Sequence, residues 1–232
     1  MKVRSESAAE LLDFIRGLAL FCGISEPSLN LLAGVCRLRR VPKGEILFLP
    51  SDPGECAYVV RSGSVSIMLN SPDGREMVID EVRAGEMFGE VELLTRKAYC
   101  AGARARTSCE LLVIPSDIFL RVIDQEPRLA RLVLDFTAQR LHKSTGRQMA
   151  LAFMNAHARL ARTLLALEEE QRDIGYVTVS QDDLAASSGL IRQTVAKALG
   201  EWRRNGWLLT GRGRIVVLNR KALEKVETGL LV

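Results

Sequence analysis

The stretch from Val177 to Val217, VTVSQDDLAASSGLIRQTVAKALGEWRRNGWLLTGRGRIVV, limits what this chain can fold into more than any other. Ser180 followed three residues later by Asp183 is a helix-start pattern. Gly189 then makes a tight turn. A second helix runs from Ile191 to Arg204, with Val195, Leu199 and Trp202 at helical spacing on one face and Arg192, Gln193 and Lys197 on the other. Asn205-Gly206 stops that helix. Trp207 to Thr210 and Ile215 to Leu218 are short apolar strands around the basic tip Gly211-Arg212-Gly213-Arg214. Helix, turn, basic helix and basic hairpin in this order read as a winged helix-turn-helix, whose second helix enters a major groove of double-stranded DNA.

From Ser180 to Lys221, Arg192, Lys197, Arg203, Arg204, Arg212, Arg214, Arg220 and Lys221 outweigh Asp182, Asp183 and Glu201, a surplus suited to a phosphate backbone. The candidate DNA contacts are Ser180 and Gln181 at the first helix start, Ile191, Arg192, Gln193, Thr194 and Lys197 on the second helix, and Arg212 and Arg214 on the wing. Arg192 matches guanine O6 and N7.

Over the whole chain of 232 residues the net charge is mild, +4, and the apolar fraction of 47% suffices for full cores. The five cysteines (Cys22, Cys36, Cys56, Cys100, Cys109) are scattered with no C-x-x-C pair, which argues against zinc ribbons, disulfide frameworks and closely spaced iron–sulfur boxes. Acids interrupt the N-terminal sequence where a signal peptide needs an apolar run, and no run is long enough to span a membrane. The expectation is a cytoplasmic protein with no membrane partner. No nucleophile motif, metal-ligand spacing or phosphate-binding loop appears, so neither catalytic nor metal residues are expected.

Helical sequence runs from Ala8 to Phe21 and from Leu29 to Cys36, the second helix started by Ser25-Glu26-Pro27-Ser28. From Leu38 to Ile114 short β-rich runs (Glu45 to Leu49, Ala57 to Val60, Val65 to Leu69, Met77 to Val82, Leu111 to Ile114) alternate with Gly and Pro turns, a pattern for a compact antiparallel roll; Asp73-Gly74 is its strongest hairpin signal. Pro127 to Met154 is one long helix. Leu129, Leu132 and Phe136 are spaced as a coiled-coil seam, which weakens in the same register to Gln139, Lys143 and Gly146. That weak half is either a solvated helix end or a dimer helix that a ligand completes. Asn155 caps the next helix. The expected organisation is α+β: an antiparallel roll over 1–126, a dimerisation helix over 127–154 and the winged helix-turn-helix over 155–232.

This order of parts resembles the cAMP receptor protein and fumarate/nitrate reductase regulator (CRP/FNR) family. Pro42-Lys43-Gly44-Glu45, the run Tyr58 to Val65, Gly85-Glu86-Met87-Phe88-Gly89-Glu90 and Ala103 to Glu110 resemble its cyclic-nucleotide-binding roll; Arg192-Gln193-Thr194-Val195 is similar to its recognition-helix core. The resemblance implies a homodimeric transcription regulator under allosteric control, a palindromic operator and RNA polymerase as a partner. It places an effector pocket at Gly89, Glu90, Tyr99, Cys100, Arg140, Ser144 and Thr145. Where cAMP-binding members grip the cyclic phosphate with an Arg-Ser pair, this chain has Tyr99-Cys100, one residue closer to Gly89-Glu90. A phenol and a thiol bring no positive charge, so cAMP is disfavoured, although Arg96 and Lys97 lie nearby in sequence.

The effector is otherwise open. The roll contains no His for haem, and His142 and His157 lie on helices; Cys22 alone in the N-terminal region argues against an iron–sulfur cluster. Cys100 is either an oxidation sensor or a small apolar side chain. Where the family usually carries Glu, Gln193 offers one donor and one acceptor and matches adenine N7 and N6. Two rival readings are a cyclic-nucleotide-binding regulatory subunit of an enzyme, against which the basic winged helix speaks, and an effector-independent DNA-binding regulator.

Overall fold

The computed structural model of the chain describes residues 8–71, 74 and 76–230. It consists of two compact units, residues up to 69 together with 79–142, and residues 70–78 together with 143 onward. The division falls inside the long helix, between His142 and Lys143.

The first unit begins with α1 (Ala8–Gly17), a 3-10 turn (Ala19–Phe21) and α2 (Glu26–Val35). The single helix expected over 8–21 breaks at Leu18, which is extended at φ −76° and ψ 128°. Helix α2 starts at the expected Ser25-Glu26-Pro27-Ser28: the Ser25 side chain accepts a hydrogen bond from Ser28 N, and Pro27 occupies the first turn, where its missing N–H costs nothing.

The roll strands are β1 (Arg37–Val41), β2 (Ile46–Phe48), β3 (Cys56–Ser62), β4 (Ser64–Asn70), β5 (Glu76–Arg83), β6 (Met87–Phe88), β7 (Gly102–Ala105) and β8 (Cys109–Pro115), with α3 (Glu90–Thr95) between β6 and β7. They form two sheets, ordered β1-β8-β3-β6 and β2-β7-β4-β5. Asp73 lies outside the described residues, but the flanking β4 and β5 are sheet neighbours, as a hairpin there requires.

Alternation along β3 and β8 buries the first sheet on both faces. Ala57, Val59, Leu112 and Ile114 pack outward on Ile15, Phe21, Leu32, Phe119 and Leu129, that is, on α1, the 3-10 turn, α2, α4 (Ser116–Gln125) and the start of α5 (Pro127–Phe153). Tyr58, Val60, Leu111 and Val113 pack inward on Val41, Phe48, Phe88 and Tyr99.

Along α5 the expected seam residues belong to this unit's own core. Leu129 is fully buried, and Leu132 and Phe136 pack against the same cluster. Helical spacing shows which positions share a face but not whose chain covers it. The large apolar side chains that α5 leaves to solvent in this unit are Leu134 (61% exposed) and Leu141 (68% exposed).

The second unit contains α6 (Ala156–Glu170), β9 (Val177–Thr178), α7 (Gln181–Ser188), α8 (Arg192–Arg204), β10 (Leu208–Gly211), β11 (Arg214–Val217) and α9 (Arg220–Glu227). Asn155 caps α6, its Oδ1 accepting from Ala158 N at 2.8 Å. Leu160, Leu164, Leu184, Val195, Leu199, Trp202, Leu208 and Leu223 form one core, and each fully buried Leu or Val contributes about 1.5–3 kcal/mol. The wing hairpin gains a third strand, giving the order β10-β11-β9.

Candidate DNA-recognition surface and effector pocket

Helices α7 and α8 are set against each other by local chemistry. The Ser180 hydroxyl accepts from Asp183 N at 3.0 Å and lies 2.7 Å from the Asp183 carboxylate, so the helix start closes as the sequence motif requires. Gly189 ends α7 at φ 65°, a left-handed conformation that side chains with a Cβ rarely adopt. Arg159 of α6 donates to the carbonyls of Ser188 (3.2 Å) and Gly189 (3.5 Å), pinning the turn from behind. Sequence spacing gives no hint of this contact.

Val195, Ala198, Leu199 and Trp202 bury one face of α8 and leave Arg192, Gln193 and Lys197 exposed on the other, with Thr194 half-buried. Ile191 is the exposed N-cap residue. Thus the expected readers do share one open face at the helix start. Ser180 has its hydroxyl engaged in the cap, and Gln181 is half-buried. On the wing, Arg212 is exposed, whereas the Arg214 guanidinium lies 4.9 Å from the centre of the Tyr176 ring, a cation–π contact that steadies the hairpin tip. Arg192 is paired with Asp182 at 3.1 Å.

One member of the basic surplus is committed elsewhere. Arg220 pairs with Glu168 (2.6 Å), Glu169 (3.3 Å) and Glu224 (3.0 Å), tying α9 to α6 rather than facing a phosphate.

In the first unit, Gly89 begins α3 at φ 81°, and a Cβ there would stand 3.0 Å from the Cys56 carbonyl oxygen. That close approach holds Glu90 inside the roll at 1% exposure. Its carboxylate pairs with Arg140 of α5 at 2.5 Å. Arg140 also lies 3.3 Å from Asp80 and donates to the Met87 carbonyl, so its guanidinium is occupied by three acceptors. The second Glu90 oxygen has no partner among the described residues. Burial pushes the Glu90 carboxyl above its ordinary range, with Arg140 opposing the shift. Asp80 was not among the expected pocket residues, and its acidity adds to that of Glu90.

Tyr99 is 4% exposed. Its ring stacks on Phe48 with centroids 3.7 Å apart, and its hydroxyl donates to the Cys56 carbonyl at 2.6 Å. Tyr58 and Phe88, stacked at 5.0 Å, extend the same aromatic group. A 310 Å³ opening beside it is lined by Arg37, Phe48, Cys56, Tyr58 and Tyr99, at the small end of the range for ligand sites. Arg96 and Lys97 line a different 410 Å³ opening with Leu93, Ser116 and Leu120, whose lining includes none of Gly89, Glu90, Tyr99 or Arg140. They therefore do not stand in for the missing Arg beside Glu90.

Cys100 is exposed, with its thiol 3.3 Å from the Glu92 carboxylate; partial burial and that carboxylate both raise its pKa. Burial likewise raises Cys56 and Cys109, and lifts Cys36 to about 12. A sensing cysteine needs the opposite shift. Ser144 and Thr145 are exposed on the part of α5 that belongs to the second unit.

Residues 38–126 match the cyclic nucleotide-binding domain family, and residues 158–226 match the Crp-like helix-turn-helix domain family. The CRP-like protein Clp of Xanthomonas campestris is 32% identical over 83% of this chain and 91% of its own length. The chain belongs to the CRP/FNR family. Another family relative, the cyclic AMP receptor protein of Thermus thermophilus, is 29% identical over 93% of this chain and all of its own. Among solved structures, the c-di-GMP responsive global regulator CLP of Xanthomonas campestris superposes with a TM-score of 0.76 at 27% identity, covering 83% of this chain and 99% of that one.

As a CRP/FNR member the chain is a DNA-binding transcription regulator with a cyclic nucleotide-binding-like roll, and its relatives in that role are not enzymes. No helix among the described residues is long and apolar enough to cross a membrane. No group of three metal-binding side chains occurs among them either.

Proposed function

We propose that this CRP/FNR regulator acts in the cytoplasm as a homodimer, binds a palindromic operator through α8 and the wing, contacts RNA polymerase, and answers to an effector other than cAMP. The observation that carries the DNA reading is the single open face of α8, on which Arg192, Gln193 and Lys197 stand together above a fully buried opposite face. The working organisation remains a sensor roll (1–126), a dimerisation helix (127–154) and a DNA-binding domain (155–232). Leu134 and Leu141 take the place of Leu129, Leu132 and Phe136 as the face offered to a second chain.

The effector reading is supported by Tyr99, whose ring is buried and whose hydroxyl is already tied to Cys56, at the position where cAMP binders have an Arg. Asp80 and Glu90 flank Arg140 and make the neighbourhood acidic, which disfavours a cyclic phosphate. A relative described as responsive to c-di-GMP shows that this fold serves other ligands. The aromatic group of Phe48, Tyr58, Phe88 and Tyr99 packs in the roll interior with Val41, Val60, Leu111 and Val113 and favours a second reading, a regulator that needs no effector. Both readings are tested by operator binding of the purified full chain, with and without cAMP and c-di-GMP. The proposal expects cAMP to have no effect. Strengthening by cAMP at physiological concentration overturns it, and tight operator binding that no ligand changes selects the second reading.

A further inference from the structure

We propose that Asp182 is a positioning residue for base reading by Arg192, which makes it a determinant of operator specificity from the first helix of the pair. The inference rests on the reading of α8 as the recognition helix. Its starting point is a division of labour between two adjacent acids. Asp183 closes the α7 cap through Ser180. Asp182, one residue earlier, takes no part in that cap and instead accepts from Arg192 Nη1 at 3.1 Å.

Among Arg192, Gln193 and Lys197, only Arg192 has a side-chain partner among the described residues. The tether is at one end of the guanidinium. The fork geometry leaves the remaining N–H groups free to form the parallel pair that guanine O6 and N7 accept. A long side chain held in one orientation before binding loses less freedom when it meets the base.

The two side chains are 67% and 65% exposed, so the pair is a weak orienting device rather than a source of stability. The location of Asp182 also matters. The first helix of such a motif crosses the DNA backbone, where a bare carboxylate repels phosphate. Pairing with Arg192 neutralises it when the side chain is in its reading position, and any displacement of Arg192 exposes the negative charge to the duplex. Asp182 therefore opposes non-specific binding while supporting the specific contact, and its removal has opposite effects on the two. An acid that merely favours the α7 N-terminus by its charge has neither effect.

The experiment is selected-library binding at one salt concentration on the full-length wild type and the D182N, D183N and R192A variants, with affinity for a random duplex measured alongside. R192A identifies the base pair that Arg192 reads, by loss of preference there. D182N is expected to lower discrimination at that pair by about three-fold, within what an exposed ion pair supports, while affinity for the random duplex stays level or rises. D183N removes the same charge one residue away and is expected to leave the discrimination intact. If R192A loses the preference and D182N keeps it, Arg192 stands as a reader and the role of Asp182 is overturned. A D182N variant that weakens binding equally on all sequences, or a D183N variant that matches D182N, also overturns it. If R192A keeps the wild-type preference, base reading by Arg192 fails and this proposal fails with it.

Discussion

Replacing Arg140 with Leu leaves Glu90 in the roll at 1% exposure without its cation. Removing one partner of a buried ion pair costs about 3–5 kcal/mol. The carboxyl can avoid part of this by taking a proton, and that sets a pH-dependent ceiling. At about 1.36 kcal/mol per pH unit, holding protonated a carboxyl whose ordinary value is 4.5 costs about 3 kcal/mol at pH 7 and under about 1 kcal/mol at pH 5. The sign follows from linkage: a carboxyl raised in the folded state binds more protons there than in the unfolded chain, so stability falls as pH rises through the window between the two values. R140L removes the influence that lowers the Glu90 pKa, so its loss relative to wild type grows with pH between about pH 5 and about pH 7. The assay is calorimetric unfolding or hydrogen exchange on β3 and β8, because both tryptophans, Trp202 and Trp207, lie in the second unit and their fluorescence does not report on the roll. The double variant E90Q/R140L removes the stranded charge and is expected to be more stable than R140L near pH 7. An equal loss at both pH values, or a double variant no better than R140L, refutes the argument.

Leu134→Glu is expected to give monomers on a sizing column with the roll still folded, whereas Phe136→Glu is expected to lower the melting temperature of the roll, because Phe136 packs on its own unit. An L134E dimer would remove α5 as the dimer element. Titration calorimetry with cAMP is expected to show no tight site in the wild type, and the Y99R/C100S variant is expected to gain affinity only if Asp80 is also neutralised, since the acid beside Arg140 remains. Tight wild-type binding contradicts the reading of Tyr99. Arg159→Ala frees the carbonyls of Ser188 and Gly189 and is expected to cost the second unit about 1–3 kcal/mol in unfolding; an unchanged transition would show that the turn stands without it.

What could be read in the sequence was the locally encoded part. The Ser180 cap, the Gly189 turn, the apolar face of α8 and the Asn155 cap are each set by residues within a few positions of one another, and each forms as expected. Strand β1 was hidden because three of its residues, Arg37, Arg39 and Arg40, break the apolar pattern; it exists through long-range pairing with β8. Helix α9 carries a local signal of its own: Asn219 caps it, accepting from Ala222 N at 3.0 Å, and Leu223 and Val226 share its buried face. The apolar spacing on α5 does not say what covers it, because Leu129, Leu132 and Phe136 carry the same spacing whether a neighbouring helix of the same chain or of another packs on them. The Asp182–Arg192 pair and the placement of Asp80 beside Arg140 join separate elements, and no local pattern announces them.

Everything proposed for the second unit depends on α8 reading a palindromic operator. The most direct measurement of that reading is selection from a random duplex library by the full chain and by Gln193→Glu at one fixed salt concentration, because phosphate contacts make affinity salt-dependent. Expected are a palindrome with half-site centres about 34 Å apart, guanine under Arg192, and A·T under Gln193 that changes to G·C in the Glu variant while the Arg192 position stays the same. A pool that stays random, or one in which both proteins select the same base under position 193, contradicts it.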